Sequence, residues 1–307
     1  MRFYSHGKLL ITAEYAVLDG AQALCLPTKK GQFLNVEENS SGLIKWISKD
    51  ENGEIWFQDE FKKNSFGIKS TSQENISEET TEISQRCIQI LTAAEELSGL
   101  NLFEKGYIIE TELEFKREWG LGTSSTLINN ISQWLSIDPY VLLNKTFGGS
   151  GYDIACAKAD GPITYERTKE SQISLKSPFN PVFSDSIYFV YLNQKQNSRE
   201  GIAHYRKQED AHREVLIEKV SNITQQLIKC ENLAEFELLL NIHENLIAKA
   251  VQLPKVKTRL FTDFEGSIKS LGAWGGDFVM ATSKNDPTVY FKTKGFEVVI
   301  PYSEMIL

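Results

Sequence analysis

The sequence predicts a two-domain protein of mixed α/β (α+β) class. Three observations carry that expectation. Stretches of period-two alternation and stretches of helical spacing follow one another from end to end. A chain of 307 residues is long enough for about two domains. Three glycine-rich segments each stand where one periodicity gives way to the other.

Taken in order, KLLIT (Lys8 to Thr12) and AVL (Ala16 to Leu18) read as strands, with a turn at Asp19-Gly20. GLIKWIS and EIWFQDEF form a hairpin turning at Asn52-Gly53, since Asn-Gly suits the tight turns that join twisted strands. The polar KSTSQENISEETTE is an exposed loop leading into a helix. On that helix Ile83, Cys87, Ile90, Leu91, Ala94 and Leu97 share a face, and Gly99 ends it. YIIETELEF then alternates, with Tyr107, Ile109, Leu113 and Phe115 on one side and Glu110, Glu112 and Glu114 on the other. Leu127, Ile128, Ile131, Trp134 and Leu135 mark the next helix. Beyond Pro181 come a strand (SIYFVYL), two helices on Leu216/Val220/Ile223/Leu227 and Leu233/Phe236/Leu240/Ile247, a helix at SIKS, and strands at DFVMAT, TVYFK and EVVIPY. The domain boundary is placed near Pro178 to Pro181, giving domains 1–180 and 181–307.

Composition excludes several classes of function. No apolar stretch reaches the roughly 20 residues needed to cross a bilayer. The opening MRFYSHGKLLIT lacks a signal-peptide layout. Cys25, Cys87, Cys156 and Cys230 are scattered without metal-ligand spacing, which fits a reducing cytoplasm and no structural zinc. A net charge of −8 argues against nucleic acid as a partner, so an anionic ligand needs a local positive field. His204, His212 and His243 show no zinc spacing and read as surface or packing residues. His6, beside Gly7-Lys8, either faces a ligand or simply ends a strand.

The glycine-rich segments hold the chemistry. Gly120-Leu121-Gly122 follows the alternating strand and precedes a helix that begins with Thr123, Ser124 and Ser125. Such a turn lets an anion approach the unpaired amides and partial positive charge of a helix N-terminus. A helix capped by its own Thr or Ser is the plainer alternative. FGGSGYDIACAKADG places Asp153 after three glycines, either as a functional carboxylate or as a helix N-cap. LGAWGGD carries Gly272, Gly275 and Gly276 at another element boundary.

Together these segments resemble the GHMP small-molecule kinases over nearly the whole chain. GKLLITAEYAVLDG looks like the first family motif, GLGTSST like its phosphate loop and LGAWGGD like its C-terminal glycine turn, in the family order. The resemblance implies a ribosomal-protein-S5-domain-2-like N-terminal domain, a ferredoxin-like C-terminal domain, and ATP with Mg2+ bound between them. It makes Asp153 and Lys8 catalytic, and gives Gly120, Leu121, Gly122, Thr123, Ser124 and Ser125 to the ATP phosphates, with Ser124 also on the metal. It gives Glu14, Tyr15, Ser150, Gly151, Lys195, Ser198, Arg199, Gly272, Ala273, Gly275 and Gly276 to the substrate, while NQKQNSRE, which carries Lys195, Ser198 and Arg199, reads equally as a solvated loop. Tyr15, GSGYDIA and the ending GGD are closest to the phosphomevalonate kinase branch. The implied activity is phosphoryl transfer from ATP to a small acidic metabolite. Mevalonate kinase and a silent metabolite-binding homologue are the alternatives, and a second copy of the chain is the only macromolecular partner entertained. The sequence departs from the family at His6, at Ala13 before Glu14, at Trp274 within the third motif, and in lacking a counterpart of the family's magnesium-binding glutamate.

Overall fold

Strands β1 (Arg2–Leu10) and β2 (Ala23–Glu38) pair with one another, and each contributes residues to both of the units into which the chain divides. The structure, a computed structural model, describes residues 1–72, 77–168, 171–194 and 198–307, with backbone alone at 198–200. The first unit comprises Met1–Gly7, Lys30–Arg117 and Gly122–Lys158; the second comprises Lys8–Lys29, Glu118–Leu121 and Ala159–Leu307. The partition therefore differs from a single cut after residue 180. The reason lies in β2, a 16-residue strand whose first part pairs in one unit and whose last part pairs in the other.

In the first unit β3 (Ile44–Lys49) and β4 (Ile55–Asn64) form the expected hairpin, turning where Gly53 adopts a positive φ of 81°. Strand β5 (Gly67–Ser70) extends it on the far side of β4. Helix α1 (Glu78–Ser98) is capped by Ser77, whose side chain accepts from the Thr80 amide, and ends at left-handed Gly99. Its buried face carries the Cys87, Ile90, Leu91 and Ala94 stripe. After the single turn α2 (Leu102–Lys105), strand β6 (Tyr107–Leu113) runs parallel to β3 and antiparallel to the last part of β2. Helices α3 (Thr123–Leu135), α4 (Pro139–Thr146) and α5 (Tyr152–Lys158) complete the unit. Their Ile128, Ile131, Leu142 and Ile154 join Val36, Trp46, Phe57 and Phe61 of the strands in one core.

In the second unit β7 (Ile163–Arg167) pairs with the start of β2 and with β8 (Gln172–Lys176). A separate antiparallel sheet is built around β9 (Ile187–Tyr191). Four helices follow it: α6 (Ser198–Arg206), α7 (Asp210–Ile228), α8 (Leu233–Val251) and α9 (Val256–Leu260). The sheet is completed by β10 (Ile268–Ser270), β11 (Phe278–Thr282) and, after α10 (Thr288–Thr293), β12 (Val299–Pro301), in the order β10-β11-β9-β12. The last turn is α11 (Tyr302–Met305). Val190, Phe261, Phe264, Val279, Ala281 and Phe291 form the core there.

Three local expectations are corrected. AVL is not a strand but part of a 3-10 turn, Ala16–Asp19, closed by left-handed Gly20. TVYFK is α10, a helix despite its β-branched and aromatic residues, because Phe291 reaches the core from it. SIKS is strand rather than helix: all three residues of β10 are buried, Lys269 among them.

Candidate active site

Helix α3 starts with Gly122 as its N-cap, in the left-handed conformation at φ 97°. Glycine has no side chain to accept from the first amides, so no side-chain cap closes this end. The hydroxyls that follow turn to carbonyl oxygens instead. Ser125 Oγ donates to the Gly122 carbonyl at 2.8 Å, and Thr126 Oγ1 donates to Gln32 Oε1 at 2.7 Å. Ser124 is exposed. The helix is therefore not capped by its own Thr or Ser, and it keeps the amides and partial positive charge that attract a phosphate. Buried amides anchor its far face: Asn129 Nδ2 donates to Ser5 Oγ (2.8 Å), Ser5 Oγ to Asn130 Oδ1 (2.7 Å), and Asn130 Nδ2 to the Gln32 carbonyl (2.9 Å).

Asp153 lies in the same unit, half-buried as the second residue of α5, which packs on α3. The amides of Ile154 and Ala155 both reach the Gly151 carbonyl, so the helix begins at Gly151, whose φ is 90°. Asp153 is inside the first turn and is not the N-cap. Ser150 and Gly151, expected at the substrate, are both buried just before it.

In the second unit, Lys8 grips the chain just upstream of Gly122. Its amide donates to the Leu121 carbonyl at 2.9 Å and its Nζ to the Gly120 carbonyl at 3.0 Å. The Trp119 ring stands edge-on to Phe278 at 5.5 Å, and Tyr191 Oη donates to the Glu118 carbonyl at 3.3 Å.

Glu14 and Tyr15, expected at the substrate, are engaged elsewhere. Glu14 is fully enclosed and paired with the equally enclosed Lys269 Nζ. Lys269 Nζ also donates to the Ser270 carbonyl (2.7 Å) and lies 3.6 Å from Glu244. Glu244 accepts from Ser270 Oγ at 3.0 Å. Burial raises Glu14 to about 7, although Lys269 pulls the other way, and burial raises Glu244 also. Burial, with Lys269 nearby, holds His243 well below the ordinary imidazole range, so this histidine is neutral. Its Nε2 accepts from the Ala13 amide at 2.9 Å, and its 3.6 Å approach to Glu14 is consequently no ion pair. The flanking Ala13 and Tyr15 have left-handed φ values of 68° and 63°. Each costs roughly 1–2 kcal/mol for a residue with a Cβ. The buried cluster holds that strained turn, and Glu14 is a clasp within the core. Tyr15, 6% exposed, accepts the Trp274 amide on its hydroxyl at 2.9 Å.

The third glycine turn is likewise largely consumed by the protein. Its Gly275 carbonyl accepts from Gln194 Nε2 (2.6 Å) and Arg259 Nη2 (3.0 Å), and the Gly276 amide donates to the Ala273 carbonyl (3.4 Å). Gly275 and Gly276 are buried, whereas Gly272 and Ala273 stay half-exposed. The Trp274 indole is buried too, its Nε1 donating to the Pro254 carbonyl at 3.2 Å, so it faces the core. Lys195, and the side chains of Ser198 and Arg199, lie outside the described residues. Among the described residues no group of three His, Cys, Asp or Glu side chains is placed to hold a metal. Magnesium carried on nucleotide phosphates needs few protein ligands, and the exposed Ser124 hydroxyl suits that mode. Sequence reasoning missed the roles of Lys269 and Glu244, whereas His243, read as a surface or packing residue, is a buried packing one.

The arrangement matches known architectures. The Methanococcus jannaschii mevalonate kinase structure superimposes with a TM-score of 0.68 at 15% identity, over 96% of this chain and 94% of that one. A Streptococcus pneumoniae phosphomevalonate kinase, in complex with phosphomevalonate and AMPPNP, gives 0.67 at 14% identity, over 97% and 98%. A Lactococcus lactis galactokinase complexed with galactose gives 0.66 at 14%, over 95% and 88%. The chain has the GHMP kinase fold. No protein-family model matches it, and no curated protein sequence matches it significantly. The GHMP kinase fold here has no described helix long and apolar enough to cross a membrane.

Proposed function

We propose that the chain is an ATP- and magnesium-dependent kinase that transfers the γ-phosphoryl group to 5-phosphomevalonate. The observation that carries this reading is the N-terminus of α3, uncapped by any side chain, with exposed Ser124 in its first turn. The amides there would hold the nucleotide phosphates, and the Ser124 hydroxyl would be a ligand of the magnesium ion that neutralises them. An oxygen of the acceptor phosphate attacks the γ-phosphorus, the bond to the β,γ-bridging oxygen breaks, and ADP leaves with that electron pair. The acceptor oxygen is already anionic at neutral pH, since phosphate monoesters lose their second proton near pH ~6. A strong base is therefore unnecessary. Asp153 orients the acceptor, and Lys8 offsets charge as two anions approach. Likeness to both mevalonate and phosphomevalonate kinase structures makes mevalonate the second acceptor to consider.

The test is coupled ADP release from one preparation across mevalonate, phosphomevalonate, diphosphomevalonate, homoserine and simple sugars. We expect turnover on phosphomevalonate above all others. Robust activity on mevalonate with none on phosphomevalonate would reverse the ranking. Tight binding with no turnover on any acceptor would mean a silent binding protein.

A further inference from the structure

The segment before Gly122 is held not only by Lys8 but by a carboxylate. Gly120 has a left-handed φ of 66°, and a Cβ built on it would lie 2.5 Å from Asp277 Cγ and 3.0 Å from Oδ1. The Asp277 carboxylate thus fills the space that a side chain at position 120 would take. Asp277 itself is fixed by its backbone: its amide donates to the Gln194 carbonyl (2.9 Å), and its carbonyl accepts from the Leu192 amide (2.8 Å). Its own φ is 50°, left-handed for a residue with a Cβ. The next residue, Phe278, opens β11 opposite Tyr191 and meets the Trp119 ring edge-on.

We propose that Asp277 is a positioning residue, whose carboxylate packs over Gly120 and holds it in the left-handed conformation from which the chain enters the N-terminus of α3. The inference rests on the nucleotide-binding reading of that end. It gives the third glycine turn a task that fits its buried, self-satisfied polar groups: delivering Asp277 to Gly120. The contact with Gly120 is one of shape, since the carboxyl group occupies the space a Cβ at that position would take. Asparagine keeps the shape without the charge, and alanine keeps neither.

Calorimetric titration with Mg·ADP separates these roles. For Asp277→Ala we expect Kd weakened about tenfold or more, with Tm within a few degrees of wild type; for Asp277→Asn we expect Kd equal to wild type within about threefold, or tighter. A merely structural aspartate would lower the Tm of both variants and leave this split absent. The packing is read independently by a thermal cycle: Gly120→Ala should lower Tm, and Asp277→Gly should restore part of the loss by making room. Additive effects in that cycle, or unchanged Mg·ADP affinity in Asp277→Ala, overturn the role of Asp277. Absence of Mg·ADP binding by the wild-type protein overturns the nucleotide reading itself, and the inference with it.

Discussion

Asp153 and Lys8 are chemically ordinary residues in unusual places, one in the first turn of a short helix, the other on the carbonyl of a left-handed glycine. If Asp153 acts mainly in the transition state, Asp153→Asn should cut kcat by at least ~10²-fold while Mg·ATP affinity stays nearly intact. Lys8→Met should reduce kcat comparably and also raise the acceptor's KM, as its proposed role in offsetting charge requires. Steady-state rates with binding measured separately give both numbers. Near-wild-type turnover in folded Asp153→Asn would remove this residue from the mechanism. Glycines draw attention to both residues in the sequence, and their roles are proposals. The Glu14 clasp was not legible there, because its partners lie more than two hundred residues away in β10 and α8.

Helix α3 and the turn before it carry the nucleotide reading, and they separate backbone from side chain cleanly. Gly122→Val would force a branched residue into φ 97° and place bulk at the helix mouth. Calorimetry should show a large loss of Mg·ADP affinity with the far-UV spectrum preserved. Ser124→Ala removes only a hydroxyl, so the magnesium concentration needed for half-maximal rate should rise while nucleotide affinity changes less. Unchanged magnesium dependence would mean the metal is held without Ser124. Helices with a clear apolar stripe and defined ends, α1 and α3, were readable in advance, as were the β3–β4 hairpin and β6. What failed were three- to five-residue segments such as AVL, SIKS and TVYFK, in which no periodicity can establish itself and burial in the fold decides. The course of β2 through both units was equally illegible, since pairing partners leave no mark on a strand's own residues.

Across the whole molecule, an excess of eight negative charges coexists with a buried acid–base cluster, and the two act on stability in the same direction above neutrality. Glu14 has a folded pKa of about 7 against an ordinary 4.5, so between those values the folded chain holds a proton that the unfolded chain has lost. Its contribution to stability is complete below pH ~4.5 and disappears as pH rises through its folded value. Glu244, also raised by burial, has the same sign. His243 opposes both, because its folded pKa is depressed, and its stabilising effect grows with pH until the unfolded imidazole is neutral above ~6.5. Below that point the histidine and the carboxyl groups oppose one another; above it Glu14, with its folded value of about 7, is no longer opposed by His243. Stability should therefore fall between pH 6.5 and 8, by roughly 1 kcal/mol from Glu14, or about 1–2 °C in Tm for a chain this long. Differential scanning at constant ionic strength across that window measures the slope. Glu14→Gln keeps the side chain's shape and removes its proton equilibrium, leaving Lys269 with Glu244, so its Tm should vary less over the same window. An equal slope in the two proteins would place the titration elsewhere, in the surface charge that both share.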